Sequence, residues 1–462
     1  MNDLNNKAEN VKIAYIGGGS RGWAWGLMSD LARVEDMRGM VYLYDIDYLA
    51  AKKNEVIGNR ISDLPDCKIP WIYKAVPTIE EALLNADFVV ISILPGTFDE
   101  MESDVHTPEK YGIYQSVGDT SGPGGIIRAL RTVPMMEVIA KAVEKHCPNA
   151  WVINYTNPMT LCMQALYSAF PAIKAFGCCH EVFGTQKLLA AAISDILGIQ
   201  EPERNEIKIN VVGVNHFTWI TKAHFREIDI YPVYEKFCEK YKDGYIVNID
   251  DNWMNNAFVS AEKVKINLFR RFGCIAAAGD RHLAEFCPGN WFLKDPDVVK
   301  DWKFKLTTVA WRKEDLQERL RKSDALYNGE EKFEICETGE EGVRQMRALL
   351  GLEDMITNVN LPNLGQIPNL PMGAVVETNA RFSADSVQPV FSGPIPEPVY
   401  PLVARVCGEQ QIVAEACEKR DLEKAFNAFL SDPLVTTIGW NDARKLFDEM
   451  VENTKAYLEE YL

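Results

Sequence analysis

Residues 11–22 read "VKIAYIGGGSRG", an apolar, β-rich run that ends in a cluster of glycines. Gly17, Gly19 and Gly22 fit G-x-G-x-x-G, and in the following "WAWGLMSDLARV" Trp25, Met28, Leu31 and Ala32 recur at helical spacing. A strand running through such a loop into a helix is the context that gives the motif meaning. The glycines, with Ser20 between them, allow a tight turn and a close backbone approach to a pyrophosphate, and the helix start beyond favours an anion. Asp45 closes the next apolar run, "MVYLYDID" (40–47), where an acid can hydrogen-bond ribose hydroxyls. Packing alone can also demand glycine in a strand–turn–helix. Strand, helix and acid together point to a dinucleotide, NAD before NADP, although Arg21 sits in the loop within reach of a phosphate.

The same rhythm continues outward from this unit. "TIEEALLNA" (78–86) is helical and leads into the strand "ADFVVISIL" (86–94); "RALRTVPMMEVIAKAVEKHCP" (128–148) is a long helix before the strand "AWVINYT" (150–156). Near-continuous apolar strands alternating with helices predict an α/β fold with a parallel sheet covered on both faces, a Rossmann-like doubly wound sheet of the lactate/malate dehydrogenase kind. After about residue 200 the pattern changes to longer strands, "NEIKINVVGVNHFTWITKAHF" (205–225), then mixed helices, a Pro-rich stretch and a helical C-terminal part. The expected organisation is an NAD-binding domain over 1–200 and a mixed α+β domain over 201–462 for substrate, metal and oligomerisation.

Bulk properties narrow the partners. With 66 acidic against 49 basic residues the net charge is −17, which repels phosphate backbones, so nucleic acid is not an expected partner. No apolar run approaches the roughly 18 residues of a membrane span. The polar start "MNDLNNKAEN" lacks an export pattern, and eleven irregularly spaced cysteines fit reduced thiols, so a cytoplasmic protein is expected.

Ligands of a doubly wound sheet sit beyond the carboxyl ends of its strands, and three polar clusters fall there: "SVGDTSGPGGIIRALR" (116–131), "NYTNPM" (154–159) and "FGCCHEVFGT" (176–185). Cys179 is a buried thiol or a metal ligand. His216, beside Asn215 in an apolar strand, is a core histidine or a ligand. Asp280, in "AAAGDRHLAEF" (276–286), is a helix cap or a catalytic group, and Asp119 is a turn former or a catalytic group.

Taken together, "IGGGSRGW", "GDTSGPGGIIRALRTVP", "NYTNPM", "CCHEV", "GVNHFTW" and "GDRHLAEF", with weaker echoes in "VVETN" and "DPLV", resemble glycoside hydrolase family 4, whose members depend on NAD and a divalent metal. The resemblance implies that Cys179 and His216 hold the metal, manganese in this family, although a thiolate–imidazole pair by itself suits zinc, iron or cobalt. It implies Asp280 as base, Asp119 as acid, Asn154 near the nicotinamide, and Asn157 on sugar hydroxyls. "CHEV" (179–182) resembles the branch acting on α-linked uronic acids, which makes His180 and Glu181 substrate-side residues and galacturonides the favoured substrate. A uronate needs a cation, and Arg281, Arg128 and Arg381 are the candidates.

The family's chemistry, as the resemblance implies it, oxidises carbon 3 of the sugar with NAD⁺, removes the carbon 2 proton, expels the glycosidic oxygen, adds water and returns the hydride. Family members form dimers or tetramers, so a homo-oligomer is expected. Alternatives are an α-glucuronidase or other α-glycosidase of the family, an NAD-dependent 2-hydroxy acid dehydrogenase, and an inactive sensor of sugar or NAD.

Overall fold

The computed structural model describes residues 7–246 and 260–462, so part of the polar start falls outside the described residues. The first part of the chain forms β1 (Ala8–Ile16), β2 (Met37–Tyr44), β3 (Ile72–Val76), β4 (Phe88–Ile91), β5 (Trp151–Asn154) and β6 (Lys174–Gly177). These pair in parallel in the order β3-β2-β1-β4-β5-β6, the order of a classical dinucleotide fold.

The apolar runs are continuous because both faces of the sheet are buried. In β4, Val89 and Ile91 enter one core with the helix Gly122–His146, while Phe88 and Val90 enter another with the helices Trp23–Ala32 and Tyr48–Ser62. Successive side chains point to opposite faces, so one run serves two cores.

The middle of the chain builds a small antiparallel sheet from β7 (Lys208–Val214), β8 (Phe217–Phe225), β9 (Ile228–Asp229) and β10 (Ile275–Ala276). Val214 pairs with Phe217, so Asn215 and His216 form the tip of the β7–β8 hairpin. The sequence reading placed His216 inside a strand; the structure places it at a turn.

Further on, β11 (Met355–Pro362), β12 (Val375–Ser383) and β13 (Ser386–Pro389) join the large sheet. β11 runs antiparallel to β6, with Asn360 opposite Gly177, and among the described residues the sheet reaches nine strands. Helices Tyr400–Lys419, Leu422–Ser431 and Trp440–Asn453 place Val403, Phe429 and Leu446 in the same core as Ile127 and Leu130. The segments before and after residue 200 therefore share a sheet and a core. Among the described residues no helix is long and apolar enough to cross a membrane.

Candidate active site

At the carboxyl end of β1 the chain turns sharply. Gly17 has φ +95°, and a Cβ there would lie 2.0 Å from Ser92 O. Gly17 and Gly18 donate their N–H groups to Tyr44 O, and Gly19 N–H donates to Asp45 Oδ2 at 2.8 Å. Ser20 N–H closes the turn onto Gly17 O, and Asn54 Nδ2 donates to the carbonyls of Gly18 and Ser20. The helix Trp23–Ala32 opens at Gly22 with no side-chain cap and no acid in its first turn. Its first N–H groups have no partner within their own helix, as an anion site requires. Burial raises the proton affinity of Asp45, against the hydrogen bonds from Asp47 and Gly19.

The two adjacent cysteines after β6 diverge. Cys178 Sγ donates to Gln345 Oε1 at 3.1 Å, whereas Cys179 Sγ lies 3.1 Å from His216 Nδ1. Burial, with Glu377 and Glu181 nearby, pushes the Cys179 thiol well above its ordinary pKa. Burial and the neighbouring His282 push the His216 imidazole down to about 3, so it is neutral and its lone pair is available. His216 Nε2 is buried and has no hydrogen-bond partner among the described residues.

Asp119, His216 and His282 each offer a ligand atom, and these atoms lie within 4.8 Å of one another. The His216 and His282 rings are 4.3 Å apart. Glu181 Oε2 stands 3.2 Å from His282 Nδ1 and accepts Gly279 N–H at 2.9 Å. Burial alone would raise Glu181, but His282, His180 and His216 hold it well below the usual carboxylate range; Glu181 in turn raises His282 against its burial. Burial likewise opposes ionisation of Asp119, and Arg128, His282 and His216 overcome it. His180 pairs through Nδ1 with Glu340 Oε1 at 2.9 Å and stacks on Trp23, the first residue of the helix behind the glycine loop.

The loop that carries Asp119 is gripped on both sides. Glu285 Oε1 accepts the N–H groups of Val117 and Gly118 at 2.7 and 3.0 Å, and Asp432 Oδ2 accepts Gly122 N–H at 2.9 Å. This gives the "DPLV" echo a physical role. The "VVETN" echo has one too: Glu377 accepts Asn215 Nδ2 at 3.0 Å and Asn358 Nδ2 at 2.7 Å, and Asn358 also donates to Cys179 O at 3.3 Å. One buried carboxylate thus ties the hairpin tip to the cysteine turn.

Other expected residues have different surroundings. Asp280 is fully buried, and its carboxylate caps a second helix, accepting Val264 N–H at 3.1 Å and Lys265 N–H at 3.0 Å at the start of Lys263–Phe272. Each oxygen keeps a further lone pair, and burial with the neighbouring Glu262 raises this carboxyl to about 7 against the two backbone donors. Asn154 is buried and satisfies Thr156, accepting its N–H and donating to its carbonyl. Arg281 donates to the carbonyls of Lys305 and Ser116, and Arg381 is an exposed residue of β12 paired with Asp354. Arg128 is buried, donates Nε–H to Asn157 O at 3.3 Å, and among the described residues has no hydrogen-bond partner for Nη1. Asn157 Nδ2 donates to Asp119 Oδ2 at 3.4 Å, and Asn157 Oδ1 likewise has no partner among the described residues.

His282 and Glu377 received no role from the sequence, although both lie in motifs quoted above. A histidine one turn into "GDRHLAEF" carried no local sign of its carboxylate partner.

Two family profiles match the chain: family 4 glycosyl hydrolase over residues 12–195, and the family 4 glycosyl hydrolase C-terminal domain over residues 211–435. An alpha-galacturonidase of Thermoanaerobacterium saccharolyticum is 63% identical over 460 residues, 99% of each chain. The crystal structure of the Bacillus subtilis protein lplD has a TM-score of 0.90 at 52% identity, covering 96% of this chain and 99% of that one. The 6-phospho-beta glucosidase of Thermotoga maritima, solved with manganese, NAD⁺ and glucose-6-phosphate, has a TM-score of 0.75 at 21% identity over 97% of this chain and 99% of its own. The last likeness is one of fold.

Proposed function

This chain belongs to family 4 of the glycosyl hydrolases, and from that premise we propose that it is an α-galacturonidase dependent on NAD and a divalent metal, manganese for preference. One observation carries the reading. A dinucleotide loop and a cluster of Cys179, His216, His282 and Asp119 meet beyond the carboxyl ends of one parallel sheet, in a chain alike from end to end to an alpha-galacturonidase.

The donor atoms fit both groups. The uncapped helix start after Gly22 suits a pyrophosphate and Asp45 a ribose, while His216, with Cys179 at its Nδ1, an orphaned buried Nε2 and Asp119 in the same ligand group, suits a cation. Gly17, Gly19, Ser20, Gly22 and Asp45 would hold the dinucleotide, and Cys179 and His216 the metal. When bound, the dinucleotide supplies reversible hydride transfer at carbon 3 of the sugar, and the metal Lewis acidity toward its oxygens.

The chain's own groups orient the sugar and move its protons. Asn157 Oδ1 offers an acceptor for a sugar hydroxyl. Of the three arginines weighed, Arg128 alone combines burial beside Asp119 with an unpartnered guanidinium nitrogen, so we assign it the uronate carboxylate. Asp119 serves the leaving oxygen. A uronate anion beside it raises its proton affinity, which suits an acid that is ionised while Arg128 and the histidines act on it alone. Asp280, whose raised proton affinity suits a general base, takes the carbon 2 proton while it also caps the helix Lys263–Phe272.

We also infer a cytoplasmic homo-oligomer. All eleven cysteines are free, in keeping with a reducing compartment, and exposed apolar side chains such as Leu364, Met372 and Phe391 offer surface for a second copy.

The test is hydrolysis of 4-nitrophenyl α-galacturonide and α-glucuronide, omitting NAD⁺, Mn²⁺ and thiol reductant in turn. Nitrophenol release that needs both NAD⁺ and metal, without net NADH and faster on the galacturonide, is expected. Release without NAD⁺, or preference for the glucuronide, overturns the assignment.

A further inference from the structure

We propose that His282 is a further protein donor to the metal and that Glu181 is the residue that aims it. The proposal rests on the metal-dependent reading above and extends it to two residues that sequence motifs left without a part at the metal.

The geometry begins with Glu181. Its Oε2 lies 3.2 Å from His282 Nδ1 and also accepts Gly279 N–H at 2.9 Å. Gly279 is the N-cap of the short helix Asp280–Phe286 that carries His282, so one carboxylate holds both the ring and the start of its helix. With Nδ1 engaged by a carboxylate, Nε2 is the nitrogen left to donate a lone pair. A carboxylate on the outer nitrogen is the usual partner of a metal-bound imidazole.

The surroundings agree. His282 stands 4.3 Å, ring to ring, from His216, and its donor atom falls with those of His216 and Asp119 in one group spanning at most 4.8 Å. A second imidazole makes the donor set less soft than a thiolate with a single imidazole, and with open positions left for oxygens it suits manganese or ferrous iron better. This removes a chemical difficulty of the Cys179–His216 pair, which alone favours softer metals. It also gives the acid of "CHEV" a reason. Glu181 is next but one to Cys179, and its charge is matched by His282 rather than opposed to an anionic sugar.

Mn²⁺ affinity of the full chain with NAD⁺ present, read from the electron paramagnetic resonance of free Mn²⁺, tests this without any turnover. His282→Ala is expected to weaken Mn²⁺ binding by about 100-fold and Glu181→Gln by about tenfold, the range for removing supports of a metal site. Zn²⁺ binding should fall less in both variants, since Cys179 remains. Mn²⁺ affinity unchanged in His282→Ala overturns the proposal even if activity is lost, because His282 would then act on the sugar. If His282→Ala does not fold, Glu181→Gln decides on the same measurement, and unchanged affinity there likewise overturns it. A wild-type chain that binds no Mn²⁺ would instead sink the metal-dependent reading, and the proposal with it.

Discussion

Sγ of Cys179 lies 3.1 Å from Nδ1 of His216, where the turn after β6 meets the tip of the β7–β8 hairpin. Neither turn makes a site alone. Glu377 joins them through Asn215 and Asn358, so the pair is held by a buried carboxylate on a third strand.

Cys179→Ser replaces a soft donor with a hard neutral one. Metal affinity should fall on the order of 100-fold, more for Zn²⁺ than for Mn²⁺. Titration calorimetry with each metal checks it, and unchanged affinity would leave Cys179 as a packing thiol.

Gly19→Ala tests the nucleotide loop separately. A Cβ at Gly19 would lie 2.8 Å from Asp45 Oδ2 and 2.7 Å from the Ala50 Cβ, so the acid must move. Losing one charge-assisted hydrogen bond to the ribose, about 1.5–3 kcal/mol, should weaken NAD⁺ by tenfold or more while Mn²⁺ affinity holds. Cofactor titration by intrinsic fluorescence reads the first effect; an unchanged NAD⁺ affinity would mean that Asp45 does not touch the cofactor.

Arg128→Lys keeps the charge but loses the forked donor. With about 1.5–3 kcal/mol at stake, kcat/KM on a galacturonide should drop about 10- to 100-fold, while a neutral α-galactoside is affected far less. Equal losses on both substrates would show that Arg128 serves the scaffold or Asp119 instead of the carboxylate.

Asp280→Asn distinguishes a cap from a base. An asparagine can accept one of the two N–H groups from Val264 and Lys265, so stability should fall by about 1–2 kcal/mol. Turnover in the folded variant should fall by about 10²–10⁴-fold, the share of a positioned base. A folded variant that turns over like wild type would leave Asp280 as a cap only.

Asp30 makes stability depend on pH. Burial raises its pKa from 3.8 to about 6, against hydrogen bonds from Thr338. The folded state holds this proton more tightly than the unfolded chain, so the stabilisation is present below about pH 4 and lost as pH rises through about 6. At about 1.4 kcal/mol per unit the full swing is about 3 kcal/mol. Asp30→Asn should therefore gain melting temperature relative to wild type between pH 4 and pH 7. A difference independent of pH would refute the shift.

Much of the fold was legible because its signals are local. β1, the glycine loop and the helix Trp23–Ala32 are contiguous, and the apolar runs of β4 and β5 report burial on both faces without naming a neighbour. Cys179, His216 and Asp119 stood out for the same reason, as reactive side chains at strand ends inside motifs of a few residues.

What the sequence determined by itself was the parallel sheet, the dinucleotide loop and the family, since periodicity and short motifs record each residue's own backbone state and burial. Only the tertiary structure decided who faces whom. It set β11 antiparallel to β6, with Asn360 opposite Gly177, and it put Glu181 on His282 and Glu377 on Asn215. It also set Asp280 on the start of a helix that begins before it in the chain. The reason is physical: a carboxylate can be neutralised by any buried cation or amide it meets, and the choice among them is made by how distant elements dock, a quantity that no local pattern of residues carries.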